Sequence, residues 1–432
     1  MKPIKVPLFP LARWQSIVLT ILIAQGITVG AYAFTTPVLA FILKDLFGLE
    51  GEELVRWNGW MFVAQGATMA LLSPVWGVLA DKMGKRLMLV RAMMGGMVVL
   101  FLMTFVQSPM QLLILRLLQG AFTGSIAAAT VLILFFTPKE KSATTLALLQ
   151  VSIYMGGSLG PLVGGALYDY LLRFDQLNQT QLSGRANFLF TAILLAISSF
   201  LILRFVPKDR VEGRPKDPQA SQRSKFQFTL FKENPLLLIL LLAGMIVSIS
   251  FSLVTPIFPL FVKSIVPDTL DLGTISGIII GSASITLALG AIFFAKMGKR
   301  FSMSHLLLIA LTGAALFYIP QVYATSWQML LIFRLIASFF VGGITPGLNY
   351  LISSNAPNHK HGIVFGLVAS LNAVGSALGP ALGVWVVSDN QFYSAFIMSA
   401  GLLMALVIIL MLSPNIIAPK PATPTDIPND KS

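Results

Sequence analysis

The chain has 432 residues, 56% of them hydrophobic and only 11% charged, with a formal net charge of +13 and no cysteine. A soluble domain carries about 25% charged residues, so this composition excludes a water-covered globular fold. The missing cysteines exclude disulfides, zinc–thiolate centres and cysteine nucleophiles.

The apolar residues come in long uncharged runs, such as Ile17 to Leu43 and Leu236 to Val262. Each exceeds the ~20 residues that cross the hydrocarbon core as a helix. The period-2 alternation of a membrane barrel is absent. Twelve transmembrane helices are predicted, at 15–43, 55–80, 87–106, 110–137, 142–170, 187–206, 234–264, 272–297, 301–323, 326–353, 360–388 and 391–412. The expected fold is therefore an all-α membrane protein.

Span 1 follows basic residues and contains Ala31-Tyr32-Ala33, a pattern shared with cleaved secretory signals. Its apolar run is too long for one, and it has a twin in mid-chain, where no signal peptide sits. Trp57 and Trp60 near the outer end of span 2 read as interfacial anchors. Asn178-Gln179-Thr180, in the loop after span 5, is a glycosylation sequon of a kind common by chance. The linker from Pro207 to Glu233 is basic and rich in Pro and polar residues, which fits a flexible topology signal.

The charges are distributed as in a membrane protein rather than a nucleic-acid binder. Most Lys and Arg fall in the N-terminus, the linker and alternate loops. Lys44, Arg56, Arg173, Arg185 and Lys263 fall on the opposite side, and Arg91, Arg116 and Arg334 within spans. The positive-inside bias then places both termini in the cytoplasm. The predicted organisation is an N-terminal six-helix half (1–206), a cytoplasmic linker (207–233), a C-terminal six-helix half (234–412) and a cytoplasmic tail (413–432).

The halves repeat one another. Thr36-Pro37 and Lys44 match Thr255-Pro256 and Lys263, 219 residues on. Gly160-Pro161 matches Gly379-Pro380 at the same offset. The loop ADKMGKR from Ala80 to Arg86 matches AKMGKR from Ala295 to Arg300, and Arg116 matches Arg334. The series keeps its order through both halves. A parallel repeat of this kind is a transporter architecture, with the substrate site between the halves near the midplane.

Three segments resemble the major facilitator superfamily, and within it the twelve-helix drug:proton antiporters. The first is GVLADKMGKR, Gly77 to Arg86. Gly77 permits close helix approach, Asp81 stands where span 2 meets the cytoplasm, Gly84 supplies a tight turn, and Lys85 and Arg86 stay in the cytoplasm. In the family this loop locks the outward-facing state. The second is LILRLLQG, in which Arg116, Gln119 and Gly120 share one helix face. A buried Arg in lipid costs several kcal/mol unless partnered, and in the family this arginine is linked to proton coupling. The third is GGSLGPLVGG. Here Gly156, Gly160 and Gly164 form a close-packing face and Pro161 favours a bend. The resemblance implies that this pattern marks an antiporter.

The resemblance thus implies an exporter of amphiphilic compounds or drugs across the inner membrane by proton antiport. It would act as a monomer in the lipid bilayer, with protons and a small molecule as partners, without nucleic acid, cofactor or metal. The second-half copies depart from the pattern, with Ala295 for Asp81 and Ala337 for Gln119. No Asp or Glu is placed well inside a span. The nearest are Asp81, Asp169 and Asp45, and His305, His359 and His361 lie outside the core. A core with arginines and no carboxylate disfavours strongly cationic substrates.

Candidate substrate contacts are Gln25, Tyr32 and Thr36 on span 1, Tyr154 on span 5, and Phe251, Thr255 and Phe258 on span 7. Asn349 and Asn372 on spans 10 and 11 complete the set. Such neutral polar and aromatic groups hold and orient an apolar ligand. A dedicated metabolite exporter, for a siderophore or sugar, uses the same residue types. A non-transporting receptor on this fold is the alternative of another class. No P-loop or cluster of acid–base residues points to a pump or enzyme.

Overall fold

Hydrocarbon offers the backbone no hydrogen-bond partners, so a chain of this composition folds into helices that satisfy their own amides. The computed structural model describes residues 13–178, 181–208, 235–266, 271–357, 361–387 and 391–413, without the side chains of 73–74, 77–78, 80–82, 143, 175–178 and 361–363. Gly77, Asp81, His359, His361, the sequon's Gln179 and Thr180, nearly all of the linker and the tail beyond Ser413 lie outside the described residues.

Eleven helices are long and apolar enough to cross a membrane among the described residues. Gly51–Met83, with 33 residues and roughly 50 Å of length, takes the second position of the repeat and completes twelve spans. It meets Lys85–Met103 through Gly84 alone, whose φ of 98° only glycine adopts readily.

Three spans expected to be continuous are interrupted. Span 1 divides into Arg13–Phe34 and Leu39–Phe47, and span 7 into Pro235–Val254 and Phe258–Ile265. Pro37 and Pro256 stand in these gaps at equivalent repeat positions. Each lacks the amide a helix interior needs, and the chain bridges the gap by tight turns such as Ile257 N–H to Val254 O at 3.1 Å. Span 4 divides into Pro109–Phe122 and Ser125–Phe136. There the Thr123 hydroxyl donates to Gly120 O at 2.6 Å, and Gly124 turns the chain with φ 108°. Span 10 runs unbroken through the equivalent position, from Trp327 to Asn355.

The packing follows the repeat. Span 1 lies on spans 5 and 6, span 2 on span 4, and span 3 on span 6. Span 7 lies likewise on 11 and 12, span 8 on 10, and span 9 on 12. The halves meet where span 5 crosses span 8 and where span 2 crosses span 11. The C-terminal half has one hydrophobic core, built wholly from its own helices around Phe258, Tyr318 and Phe396. The N-terminal half has two, one at each end.

The tightest seams are backbone against backbone. A side chain at Gly156, Gly160 or Gly164 of span 5 would run into the carbonyls of Gly26, Gly30 or Phe34 in span 1. At offset 219, Gly375, Gly379 and Gly383 of span 11 meet the carbonyls of Met245, Ile249 and Leu253 in span 7. Pro161 sits inside the continuous helix Ser142–Asn178. Gly160→Ala should therefore destabilise by about 1–3 kcal/mol through overpacking. Gly401→Ala, with open space around its Cβ position in the interior of the helix Tyr393–Met411, should instead stabilise by about 0.5–1 kcal/mol. Thermal melting of the two variants in detergent checks the contrast, and equal melting would mean the seam can relax.

Candidate functional site

Arg116 lies inside the helix Pro109–Phe122 of span 4, and only 4% of it is exposed. Gly120, one turn on, explains how it reaches its partners. A side chain there would strike Gln65 O and the Thr68 hydroxyl, so its absence brings span 4 onto span 2. Arg116 Nη1 then donates to Gln65 Oε1 at 3.2 Å and to Gln119 Oε1 at 3.1 Å. Arg116 Nε and Nη2 are buried without a partner.

The interruption of span 4 uses the other arginine placed within a span of this half. Two carbonyls next to the break are capped from outside the helix, as a helix end requires. Trp76 Nε1 donates to Ala121 O at 2.7 Å, and Arg91 Nη2 to Thr123 O at 3.5 Å. The Arg91 guanidinium lies 3.5 Å from the centre of the Trp76 ring, a cation–π contact. Arg334, the repeat equivalent of Arg116, is held differently. It rests 5.0 Å from the Phe258 ring centre and 5.6 Å from that of Tyr318, and donates to the Tyr318 hydroxyl at 3.5 Å.

A cavity of about 210 Å³ opens between the halves, with Arg116 in its wall. Of the predicted substrate contacts, Tyr32, Thr36 and Thr255 line it. Gln25 does not. It is fully buried and donates to the Ser125 hydroxyl at 3.1 Å, tying span 1 to the second piece of span 4. Phe258 does not either, being buried against Arg334 and Phe396. Phe251 packs on the C-terminal core, Asn372 faces Gly244, and Tyr154 and Asn349 are half-buried away from the cavity lining. Helical spacing gives a common face but not whether that face meets the cavity or the core.

The residues missed are Thr35, Phe62, Gln65, Met69, Ser252 and Ser376, which complete much of the wall. Gln65 carried a usable signal, as a lone amide in the apolar run of span 2. Of the motif residues, Lys85 lies 4.7 Å from the Phe135 ring centre and Arg86 donates to Leu203 O at 2.6 Å, so both tie the short 2–3 connection to neighbouring helices.

The end of the bundle away from the linker is shut. Asp169, 5% exposed, accepts from Gly273 N–H at 3.0 Å and Thr274 N–H at 2.5 Å. The carboxylate of one half thus caps the first turn of span 8 (Leu272–Met297) in the other, where a helix dipole favours negative charge. Arg173 and Asp271 pair beside it at 2.8 Å. Asn58 Nδ2 donates across the seam to Pro256 O at 2.5 Å, a carbonyl at the break in span 7. Gly273, Gly277 and Gly281 leave span 8 in backbone contact with span 5 as far as Ser158. Beyond that depth the same face of span 5 continues through Val151 and Gln150, both exposed. No backbone approach between spans 5 and 8 is found there among the described residues.

The family model described as Major Facilitator Superfamily matches residues 21–278 and 245–431. The multidrug resistance protein MdtG of Rahnella sp. strain Y9602 is 30% identical over 90% of this chain and 91% of its own. Among solved structures, a bacterial homologue of the human lysosomal transporter Spinster, in an inward-facing and occupied conformation, superposes with a TM-score of 0.75. It is 13% identical and covers 93% of this chain and 97% of its own. The nucleoside transporter NupG superposes with a TM-score of 0.70 at 13% identity, over 92% and 98% of the two chains.

Two predictions follow from the geometry. Gln65→Leu removes one of two acceptors from a buried guanidinium and should lower stability by about 1.5–3 kcal/mol, read by thermal melting. Unchanged melting would mean that Arg116 finds another partner. In this cysteine-free chain, spin labels attached to Arg173→Cys and Asp271→Cys should lie close together, read as dipolar broadening by electron paramagnetic resonance. A population dominated by widely separated labels would contradict closure at this end.

Proposed function

Because this chain belongs to the Major Facilitator Superfamily, we propose that it is a secondary active transporter exporting small amphiphilic compounds, drugs among them, across a bacterial inner membrane by proton antiport. The observation that carries this reading is a cavity between two repeated halves, with the halves joined beyond one end of it by Asp169 and the glycine seam of spans 5 and 8. The likeness to a multidrug resistance protein over nine-tenths of the chain supports the direction and the class of cargo. The excess of basic residues at the linker end supports cytoplasmic termini. In that orientation this is an inward-facing state, with the cavity accepting cargo from the cytoplasm or inner leaflet. One chain supplies both halves, so a monomer suffices.

Each residue group has a task in alternating access. The glycine seams keep span 1 on span 5 and span 7 on span 11, so each half moves as a body. Asp169 and the Arg173–Asp271 pair hold the outer end shut. A proton arriving from outside neutralises Asp169 and removes the charge that the span 8 amides and dipole bind, which favours outward opening. Asp81, in the loop 2–3 pattern, is the matching candidate at the inner end. Arg116, with Gln65 and Gln119, stands in the cavity wall between these gates.

Cells lacking their own efflux pumps, expressing this protein and loaded with a fluorescent lipophilic dye, should expel it, and a proton uncoupler should stop them. Efflux that persists with the uncoupler would refute proton antiport and leave export standing. With spin labels on Arg173→Cys and Asp271→Cys, lowering the external pH should move the labels apart. Adding Asp169→Asn should keep them apart at every pH, and an undiminished pH response in that variant would remove Asp169 from the gate.

A further inference from the structure

A second cavity, of about 470 Å³, lies between span 2 and span 11 at the end away from the linker. Glu52, Arg56, Trp60 and Val63 of span 2 line it, with Val384 and Trp385 of span 11. It shares no lining residue with the cavity at Arg116. The two spans belong to different halves and pack here through Gly59 against Val384, so the cavity is a groove along the seam. Trp385 is 79% exposed and Trp60 53%, so the groove faces outward and not into the bundle.

The lining is ordered by polarity. Glu52, Arg56, Trp60 and Val63 stand at i, i+4, i+8 and i+11, one stripe of the helix Gly51–Met83. The stripe starts with two charges at the end of the helix and continues as apolar surface, over about 16 Å in all. Trp385 stands at the same end of the bundle, one residue from the end of the helix His361–Val386. A bilayer lipid presents the same order with depth: a charged headgroup, an interface that tryptophan favours, then hydrocarbon.

The two charges are available to such a headgroup. Among the described residues neither Glu52 nor Arg56 has an ion-pair partner, and both are exposed. We propose that the groove holds one zwitterionic phospholipid of the adjoining leaflet. Its phosphate lies on Arg56, its primary ammonium on Glu52, and one acyl chain over Trp60, Val63 and Val384. A guanidinium binds phosphate through parallel N–H donors. A primary ammonium donates hydrogen bonds to a carboxylate, which a choline, without N–H groups, does not. An anionic phosphoglycerol headgroup would leave Glu52 facing a like charge. The volume lies within the ~300–1,000 Å³ of small-molecule sites, so the groove takes the headgroup and the start of one chain and leaves the rest in the bilayer. The site needs the membrane and not the cargo.

The test is lipid competition on the full-length protein, read by native mass spectrometry. The protein, stripped of lipid in detergent, receives equimolar phosphatidylethanolamine, phosphatidylcholine and phosphatidylglycerol with identical acyl chains. Wild type should retain one phosphatidylethanolamine about tenfold or more over phosphatidylglycerol, the effect of one charge-assisted hydrogen bond, with phosphatidylcholine between them. Arg56→Gln should lower retention of both zwitterionic lipids about tenfold. Glu52→Gln should abolish the discrimination against phosphatidylglycerol. Trp385→Ala should weaken all three and keep their order. Equal retention of the three lipids by wild type, or a preference that survives both Arg56→Gln and Glu52→Gln, would overturn the site. These side chains are exposed, so the variants should melt as wild type does. If one does not, the wild-type competition and the other variants decide. Dye efflux is a separate readout. Efflux without any lipid preference overturns the site and leaves export standing, and a lipid preference without efflux leaves the site standing.

Discussion

Span 5 touches its neighbours through backbone on two faces, and the rest of the molecule is arranged around that. On one face Gly156, Gly160 and Gly164 lie against span 1, and on the other Gly165 and the Pro161 carbonyl meet Gly273 and Gly277 of span 8. Lipid provides no hydrophobic drive between helices, so association depends on how closely they approach. Glycine on both faces lets one helix bind its own half and the opposite half at once. The first contact is repeated between spans 7 and 11 at the same offset, which makes it part of the fold of each half. The second is confined to the end away from the linker, which makes it separable.

That difference between a permanent seam and a separable one positions the polar groups. Asp169 lies one turn beyond the separable seam and caps a helix of the other half. Asn58 does similar work across the second crossing by reaching a carbonyl at the Pro256 break. Breaks in membrane helices require outside partners for their backbone, and here a break on one half becomes a binding point for the other. The Thr123–Gly124 break in span 4 is capped instead within its own half, by Trp76 and Arg91. It shapes the N-terminal half without tying the two halves together.

The two repeats have diverged most where charge is buried. Arg116 and Arg334 occupy equivalent positions, yet one borders the cavity with amide partners and the other is enclosed by Phe258 and Tyr318. One copy therefore contributes to the packing of its half, and the other to the wall of the space where a ligand would sit.

The amino-acid sequence by itself determined the helical membrane class, the number of spans, the repeat and the glycine faces. All of these follow from hydropathy and periodicity along the chain, which the bilayer reads one helix at a time. It also singled out Arg116 and Gln119, because a charge in an apolar run stands out without any knowledge of neighbours. Only the tertiary structure decided which polar residues meet the cavity. Tyr32, Thr36 and Thr255 reach it, whereas Gln25 and Phe258, equally well spaced on their helices, are turned into packing and capping roles. Helical spacing states which residues share a face. What that face meets depends on the rotation and crossing of helices far apart in the chain. The same reason hid Gln65 behind its apolar neighbours, and left Asp169 looking like the end of a span when it caps a helix more than a hundred residues away.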